Sequence, residues 1–433
     1  MARCSLFSKA GNARKEPAMK NVTILILALV AAVAVSAEAM ELDHPWTDGR
    51  YSTLTIPSAA GGVKPKNDKW LYLSVPGFKN ALRVRAVLHS DCRPLVVILN
   101  GTCGRADDAI TSRWMAWLEP RFHVLTFDST LHPAFTEAAH TGVAGYLDAD
   151  AESAAAVIGA FLNNPETKGK VSRVGVVGMS YGGTQALLLN RMQRQGKLSF
   201  RIDAVQAYSP PVSMAAALNI LDCNFTYRWT LTDLFWKLCN LPRNQATQAS
   251  LDPEMMCAAL SRAFRWNLTD VVERNDRLYD KELKAAKKER VAMPESNSTM
   301  DRLPFAEVVS FNEYLDRIVV PYWKARGRIT SKEEILRSGE LRELLSGAGA
   351  NVQVIVTTND PLNEIGSVER LCASGCGESL MVLPRGGHLG YADSNWNKAN
   401  LEGIFPDAAI ASAAPGLLLV DGARATTPPS STR

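Results

Sequence analysis

The chain has 433 residues, 46% hydrophobic and 21% charged, with 29 glycines and 22 prolines. That is the make-up of a soluble globular protein, long enough for one large α/β domain carrying a substantial insertion. The net charge is only +4. Both signs are mixed along the chain, and no basic stripe interleaves with aromatics, so nucleic acid is not an expected partner.

The first distinct segment is Val22–Val35, an uninterrupted run of apolar residues apart from Thr23, preceded by Lys20. Small residues follow at Ser36, Ala37 and Ala39. A basic start, a short apolar core and A-x-A-like sites describe a secretory signal peptide. The run is shorter than the ~20 residues of a comfortable membrane span. Export to the periplasm or outside the cell is therefore the expectation, with an uncleaved N-terminal anchor as the alternative. Met19-Lys20 reads as a second possible start, which makes residues 1–18 an extension.

Of eight cysteines, Cys4 precedes the apolar core. The others are Cys92, Cys103, Cys223, Cys239, Cys257, Cys372 and Cys376. An oxidising compartment would let some of them pair. Cys372 and Cys376 are close enough for a local bridge, and Cys92 and Cys103 flank one strand. No histidine lies near Cys223, Cys239 or Cys257, so a zinc site is not expected.

Residues 40–68 read as an extended lead-in. Trp70–Val75 and Leu82–Leu88 follow as strands, the second alternating apolar and polar as a half-exposed antiparallel strand would. Leu95–Leu99 is a continuous apolar run and hence a central strand. Phe122–Phe127 is the next, and residues 147–163 have helical spacing. Val174–Val177 is a short, buried-type strand, and Ile202–Tyr208 is another. From 212 to 347 the β pattern stops. Mixed-charge helical stretches such as Asp276–Arg290 take over, with Trp229, Phe235, Trp236, Phe264 and Trp266 among them. Val352–Thr357 and Leu380–Leu383 restore the β pattern, and beyond 405 the chain is Ala-rich, then Thr/Pro/Ser-rich. Strands alternating with helices, after two antiparallel strands, imply a doubly wound, mostly parallel sheet. Ligands of such sheets sit at the carboxyl ends of the strands.

The chemistry is concentrated there. Gly178-Met179-Ser180-Tyr181-Gly182 lies between a strand and a helix. A turn this tight strains the central residue, and glycine on both flanks removes Cβ atoms that would clash. Ser180 is thereby set up as a nucleophile, which needs a base. Six histidines exist. Only His388, in the loop Pro384-Arg385-Gly386-Gly387-His388, follows the last strand. An acid to orient the imidazole is offered by Asp360 in Thr358-Asn359-Asp360-Pro361, with Glu364 as runner-up. Asp393 lies on the wrong side of His388 for the usual chain order. Two N–H donors are needed for a developing oxyanion. Tyr181 follows the nucleophile, and Thr102 lies in the loop Asn100-Gly101-Thr102-Cys103-Gly104.

These motifs, with Tyr208-Ser209-Pro210-Pro211 and Gly386–Gly390, span about residues 70–395. On them the chain resembles the α/β-hydrolase superfamily, most closely the YheT-like branch of predicted serine esterases. It departs from that branch at Asn100, where histidine is usual, and in Asp128–Pro133, where Arg-Gly is usual. The resemblance implies an α/β-hydrolase core of 40–211 and 348–404 and a helical lid insertion of 212–347. It leaves 1–39 as signal and extension, and 405–433 as a low-complexity tail.

The expected function is hydrolysis of a small-molecule ester or lipid by Ser180, Asp360 and His388, with Tyr181 and Thr102 as oxyanion donors. No cofactor and no metal is implied, and no stable membrane span after signal cleavage. The same constellation is compatible with thioesterase, peptidase or acyl-transfer chemistry, the last suggested by the H-x-x-x-x-D pattern of His388–Asp393. A catalytically silent binding module is the alternative from another class.

Overall fold

A computed structural model describes residues 63–139, 142–223, 310–376 and 379–405. The apolar Val22–Val35 segment, the five aromatic residues from Trp229 to Trp266, Cys239, Cys257, Asp276–Arg290 and the tail after 405 lie outside them. No helix of the described residues is long and apolar enough to cross a membrane.

Eight strands form one sheet: β1 (Asp68–Leu73), β2 (Leu82–Val87), β3 (Arg93–Leu99), β4 (His123–Phe127), β5 (Val171–Met179), β6 (Ala204–Tyr208), β7 (Val352–Thr357) and β8 (Leu380–Leu383). Their spatial order is β1-β2-β4-β3-β5-β6-β7-β8. β2 is antiparallel to both its neighbours, and every later pairing is parallel. The continuous apolar run Leu95–Leu99 is buried on both faces because β3 lies between β4 and β5.

Two apolar layers enclose the sheet. On one face, α1 (Ala109–Leu118) packs Trp114, Met115 and Leu118, with Leu401 of α11 (Asn395–Glu402). On the other lie α3 (Leu147–Leu162) and α4 (Tyr181–Arg194). Ala186, Leu187, Leu188 and Leu189 of α4 are all fully buried. Four consecutive buried apolar residues go once round the helix, so this turn of α4 lies inside the layer stack. A short α2 (Pro133–Ala139) precedes α3, and α10 (Ser367–Ala373) lies between β7 and β8.

β2 corrects one expectation. Its alternation suggested a half-exposed strand, yet only Arg83 is exposed. Arg85 is buried, pairs with Asp68, and donates to Ser112 Oγ at 2.7 Å and Ala106 O at 3.2 Å. A guanidinium can read as a polar, outward position in sequence and still point inward when fixed acceptors satisfy its donors.

Between β6 and β7 the described residues contain helices and no strand. They are α5 (Met214–Cys223), α6 (Phe311–Tyr314), a π-helical turn (Leu315–Val319), α7 (Val320–Ala325), α8 (Lys332–Ser338) and α9 (Leu341–Leu345). No disulfide joins any of the described cysteines Cys92, Cys103, Cys223, Cys372 and Cys376. The local bridge between Cys372 and Cys376 is therefore not formed.

Candidate active site

The elbow at Ser180 sits between β5 and α4. Ser180 adopts φ 53° and ψ −118°, a region that costs a non-glycine residue about 1–3 kcal/mol. Neighbouring backbone enforces it. Ser180 N–H donates to Tyr208 O of β6 at 2.8 Å. A methyl on Gly178 would stand 2.0 Å from Gly182 O, and one on Gly182 would stand 2.2 Å from Leu99 O. Both closest atoms are backbone and cannot swing aside.

Gly182→Ala should therefore destabilise the fold by at least about 3 kcal/mol, by forced displacement of the central strand. Gly159→Ala should not: that glycine is inside α3, and its added methyl would meet only Ser199 Oγ at an ordinary 3.7 Å. Helix propensity alone should make that change mildly stabilising, by about 0.5–1 kcal/mol. Urea unfolding of both variants checks the contrast.

The residues singled out in sequence come together at the carboxyl ends of β3, β5, β7 and β8. His388 Nε2 is 2.8 Å from Ser180 Oγ, and His388 Nδ1 is 2.9 Å from Asp360 Oδ2. Their sequence separations are 208 and 28 residues. A carboxylate only accepts, so Nδ1 carries the hydrogen and Nε2 presents its lone pair to the serine hydroxyl. All three side chains are buried. Asp360 Oδ1 accepts from Leu362 N–H at 2.9 Å, which fixes the rotation of the carboxylate.

The other acids are engaged elsewhere. Glu364 is exposed and pairs with Arg370 at 3.3 Å. Asp393 is paired with Arg113 of α1, and burial pushes its carboxyl up to about 6.

The loop carrying His388 is held by Asn359, Thr357, Ser209 and Tyr391, whose tasks the sequence does not announce. Asn359 Oδ1 accepts from Gly387 N–H at 2.9 Å, and Thr357 Oγ1 donates to Gly387 O at 2.8 Å. Ser209 Oγ accepts from Leu389 N–H at 3.3 Å and lies 3.0 Å from Tyr391 OH. Burial keeps the Tyr391 phenol well above its ordinary range, so it remains a donor. Leu389 is itself at φ 69°. These contacts hold a turn, Gly386–Tyr391, that contains three glycines and one strained leucine.

Asn100, the departure from the resembled pattern, also has a local task. Its amide donates to Thr126 Oγ1 at 3.1 Å and Phe127 O at 2.7 Å, and its oxygen accepts from Thr111 Oγ1 at 2.6 Å. It ties the loop after β3 to β4 and α1. The loop passes close to the elbow: a methyl on Gly101 would lie 3.4 Å from Ser180 Cβ. Tyr181 opens α4, where backbone N–H groups lack partners within the helix.

Thr102, Ser180 and Tyr181 line one cavity of about 70 Å³. Its other walls are almost wholly apolar: Leu131 and Leu147 from the core, Met214, Leu218 and Leu221 from α5, Phe311 and Leu315, Ile335 and Leu336 from α8, and Leu362. Among the described residues no group of three or more His, Cys, Asp or Glu is placed to hold a metal ion.

No protein-family model matches the chain, and no curated protein does. Solved structures do resemble it. Esterase Pf2001 of Pyrococcus furiosus aligns at TM-score 0.42 and 13% identity, over 79% of this chain and 97% of that one. The hyperthermophilic esterase of Pyrobaculum calidifontis aligns at TM-score 0.38 and 15% identity, over 84% and 90%. Proline iminopeptidase of Mycobacterium smegmatis aligns at TM-score 0.39 and 12% identity, over 77% and 96%. Likenesses this distant say nothing about substrate. The strand order, with the turn at Ser180 on its central parallel strands and the loops of Asp360 and His388 beyond β7 and β8, gives this protein the α/β-hydrolase fold.

Proposed function

We propose that this protein is a serine hydrolase acting on carboxylic esters with an apolar chain, nearest in type to the YheT-like esterases. The supporting observation is the hydrogen-bonded run Ser180–His388–Asp360, ending in a strained serine on the wall of an apolar cavity. His388 Nε2 takes the Ser180 proton as Oγ bonds to the acyl carbon. Asp360 holds the imidazole and balances its positive charge. Tyr181 and Thr102 N–H groups receive the charge on the acyl oxygen. His388 then passes the proton to the leaving alcohol. Water, deprotonated by the same nitrogen, opens the acyl-enzyme and frees the acid.

The pairing of Asp393 with Arg113 leaves that carboxylate committed to a structural contact, which disfavours a role for it in acyl transfer. The segment Lys20–Val35 supports export, and residues 212–347 are read as a lid insertion that sets substrate choice.

A fluorophosphonate probe tests the chemistry. It should label Ser180 covalently, and the labelled protein should lose hydrolysis of p-nitrophenyl esters. Labelling elsewhere, or none, overturns the proposal. The cavity offers a second check. Leu218→Trp narrows it from the α5 side, so long-chain esters should lose at least about tenfold in kcat/KM while the acetate ester changes little. Equal loss for both chain lengths would show that this cavity does not take the chain.

A further inference from the structure

One buried acid lies outside the chemistry just described. Asp150 stands in the first turn of α3, is 5% exposed, and lies 31 residues from Tyr181 in sequence. The Tyr181 phenol donates to its Oδ2. Gly145 N–H donates to the same oxygen at 2.8 Å. Both partners matter. Tyr181 is the first residue of α4 and the neighbour of Ser180, and Gly145 lines the cavity beside Ser180. The Gly145 segment is pinned from its other side as well. Tyr314 OH donates to Ala144 O at 2.5 Å, and Trp323 Nε1 donates to Val143 O at 2.9 Å.

We propose that Asp150 is a positioning residue: through the Tyr181 phenol it fixes the first turn of α4, and so the Tyr181 N–H beside Ser180, and through Gly145 it fixes the adjoining cavity wall. The proposal rests on the serine-hydrolase reading. A tyrosine whose backbone must point at a developing charge gains from being held at the far end of its side chain. Charge-assisted bonds are roughly twice as strong as neutral ones. Errors of about 1 Å in such a donor are worth large factors in rate.

The carboxylate is not optimal for stability. Burial pushes Asp150 up to about 7, against which the Tyr181 and Gly145 bonds pull down. The groups facing it are few. From α4 there is Tyr181, whose phenol burial keeps protonated, and beyond it Tyr314 from α6, between β6 and β7. On its own helix, Glu152 pairs with Arg328 at 2.7 Å. Those two residues and Asp150 line a second cavity, of about 240 Å³, with Phe135, Thr130 and Trp323. That cavity gives Asp150 a route to exchange its proton. The sign follows. The folded carboxyl titrates near 7 and an unfolded one near about 3.9. Its contribution to stability is therefore full below about pH 4 and lost as pH rises through 7.

The test uses the full chain, p-nitrophenyl acetate and a trifluoromethyl ketone that forms a tetrahedral adduct. Tyr181→Phe and Asp150→Ala should each lower kcat about tenfold with KM within about twofold, and ketone affinity should fall by the same factor as kcat. The double variant should be no worse than either single one. Asp150→Asn keeps an oxygen that can accept both bonds, so it should recover part of the loss. It should also raise Tm more at pH 8 than at pH 5.

If Asp150→Ala does not fold, the asparagine and phenylalanine variants carry the test. Unchanged kcat and ketone affinity in both, a loss confined to KM, multiplied losses in the double variant, or no pH-dependent Tm gain in Asp150→Asn would each overturn the positioning role. A wild type that neither labels at Ser180 nor cleaves esters would instead overturn the hydrolase reading.

Discussion

Ser180→Ala is expected to lower ester hydrolysis by at least about 10⁴-fold, and His388→Ala by as much, with the double variant hardly slower than either. The geometry dictates the non-additivity. In the proposed mechanism His388 Nε2 has one task, the proton on Ser180 Oγ, 2.8 Å away. Without the serine there is no proton to take, and without the imidazole the hydroxyl is a weak nucleophile. On the proposed mechanism, what remains is binding and the N–H donors at Thr102 and Tyr181. Folding should survive, because the strained turn is imposed by Gly178, Gly182 and the Tyr208 carbonyl rather than by the hydroxyl. The alanine variant loses one hydrogen bond, about 1 kcal/mol. Steady-state rates on p-nitrophenyl acetate, with a urea midpoint for each variant, check both halves. Turnover above a few percent of wild type in Ser180→Ala would remove the serine from the chemistry.

The second large effect concerns the acid. Asp360→Asn should cost about 10³–10⁴-fold in kcat, whereas Glu364→Gln should change it less than about twofold. An amide at 360 can offer its NH2 to His388 Nδ1. That would reverse the hydrogen on the ring and turn Nε2 from acceptor to donor, facing a serine whose proton it must receive. Nor can the neutral amide balance the imidazolium that forms. Glu364 has no such hold: it is exposed and paired with Arg370, a contact of the kind worth at most about 1 kcal/mol. The opposite ranking would move the acid to Glu364.

Much of this frame is written locally in the chain. Leu95–Leu99 and Val174–Val177 are short, valine-rich apolar runs, the pattern of a strand buried on two faces. The turn at Ser180 is legible because a steric demand leaves glycine at fixed offsets. Asp360 and His388 are legible because each follows the end of a strand.

What escaped notice depends on contacts between distant segments. Asp150 sits in a helix of alternating Ala and acidic residues, where Asp148, Asp150 and Glu152 look alike. Only the docking of α4 shows that Asp150 turns inward while Asp148 pairs with Arg191 and Glu152 with Arg328. Ser209 and Tyr391, 182 residues apart, likewise have no shared signature. Arg85 has an outward pattern in sequence but points inward, because its acceptors Ser112 Oγ and Ala106 O come from the segment 21–27 residues further on.

Gly175 has a bearing on how the molecule is made. A methyl there would stand 2.8 Å from Phe405 Cζ and 2.9 Å from Ile404 Cδ1, so the nucleophile strand is backed by the last described residues of the chain. During synthesis β5 leaves the ribosome long before them. His388 alone follows Ser180 by 208 residues, about 10–40 s at ordinary elongation rates. For that interval β5 lacks the part of its cover that Ile404 and Phe405 supply, and Ser180 lacks its hydrogen-bond partner His388. The growing chain thus carries an apolar strip on β5 that only its last described residues close over.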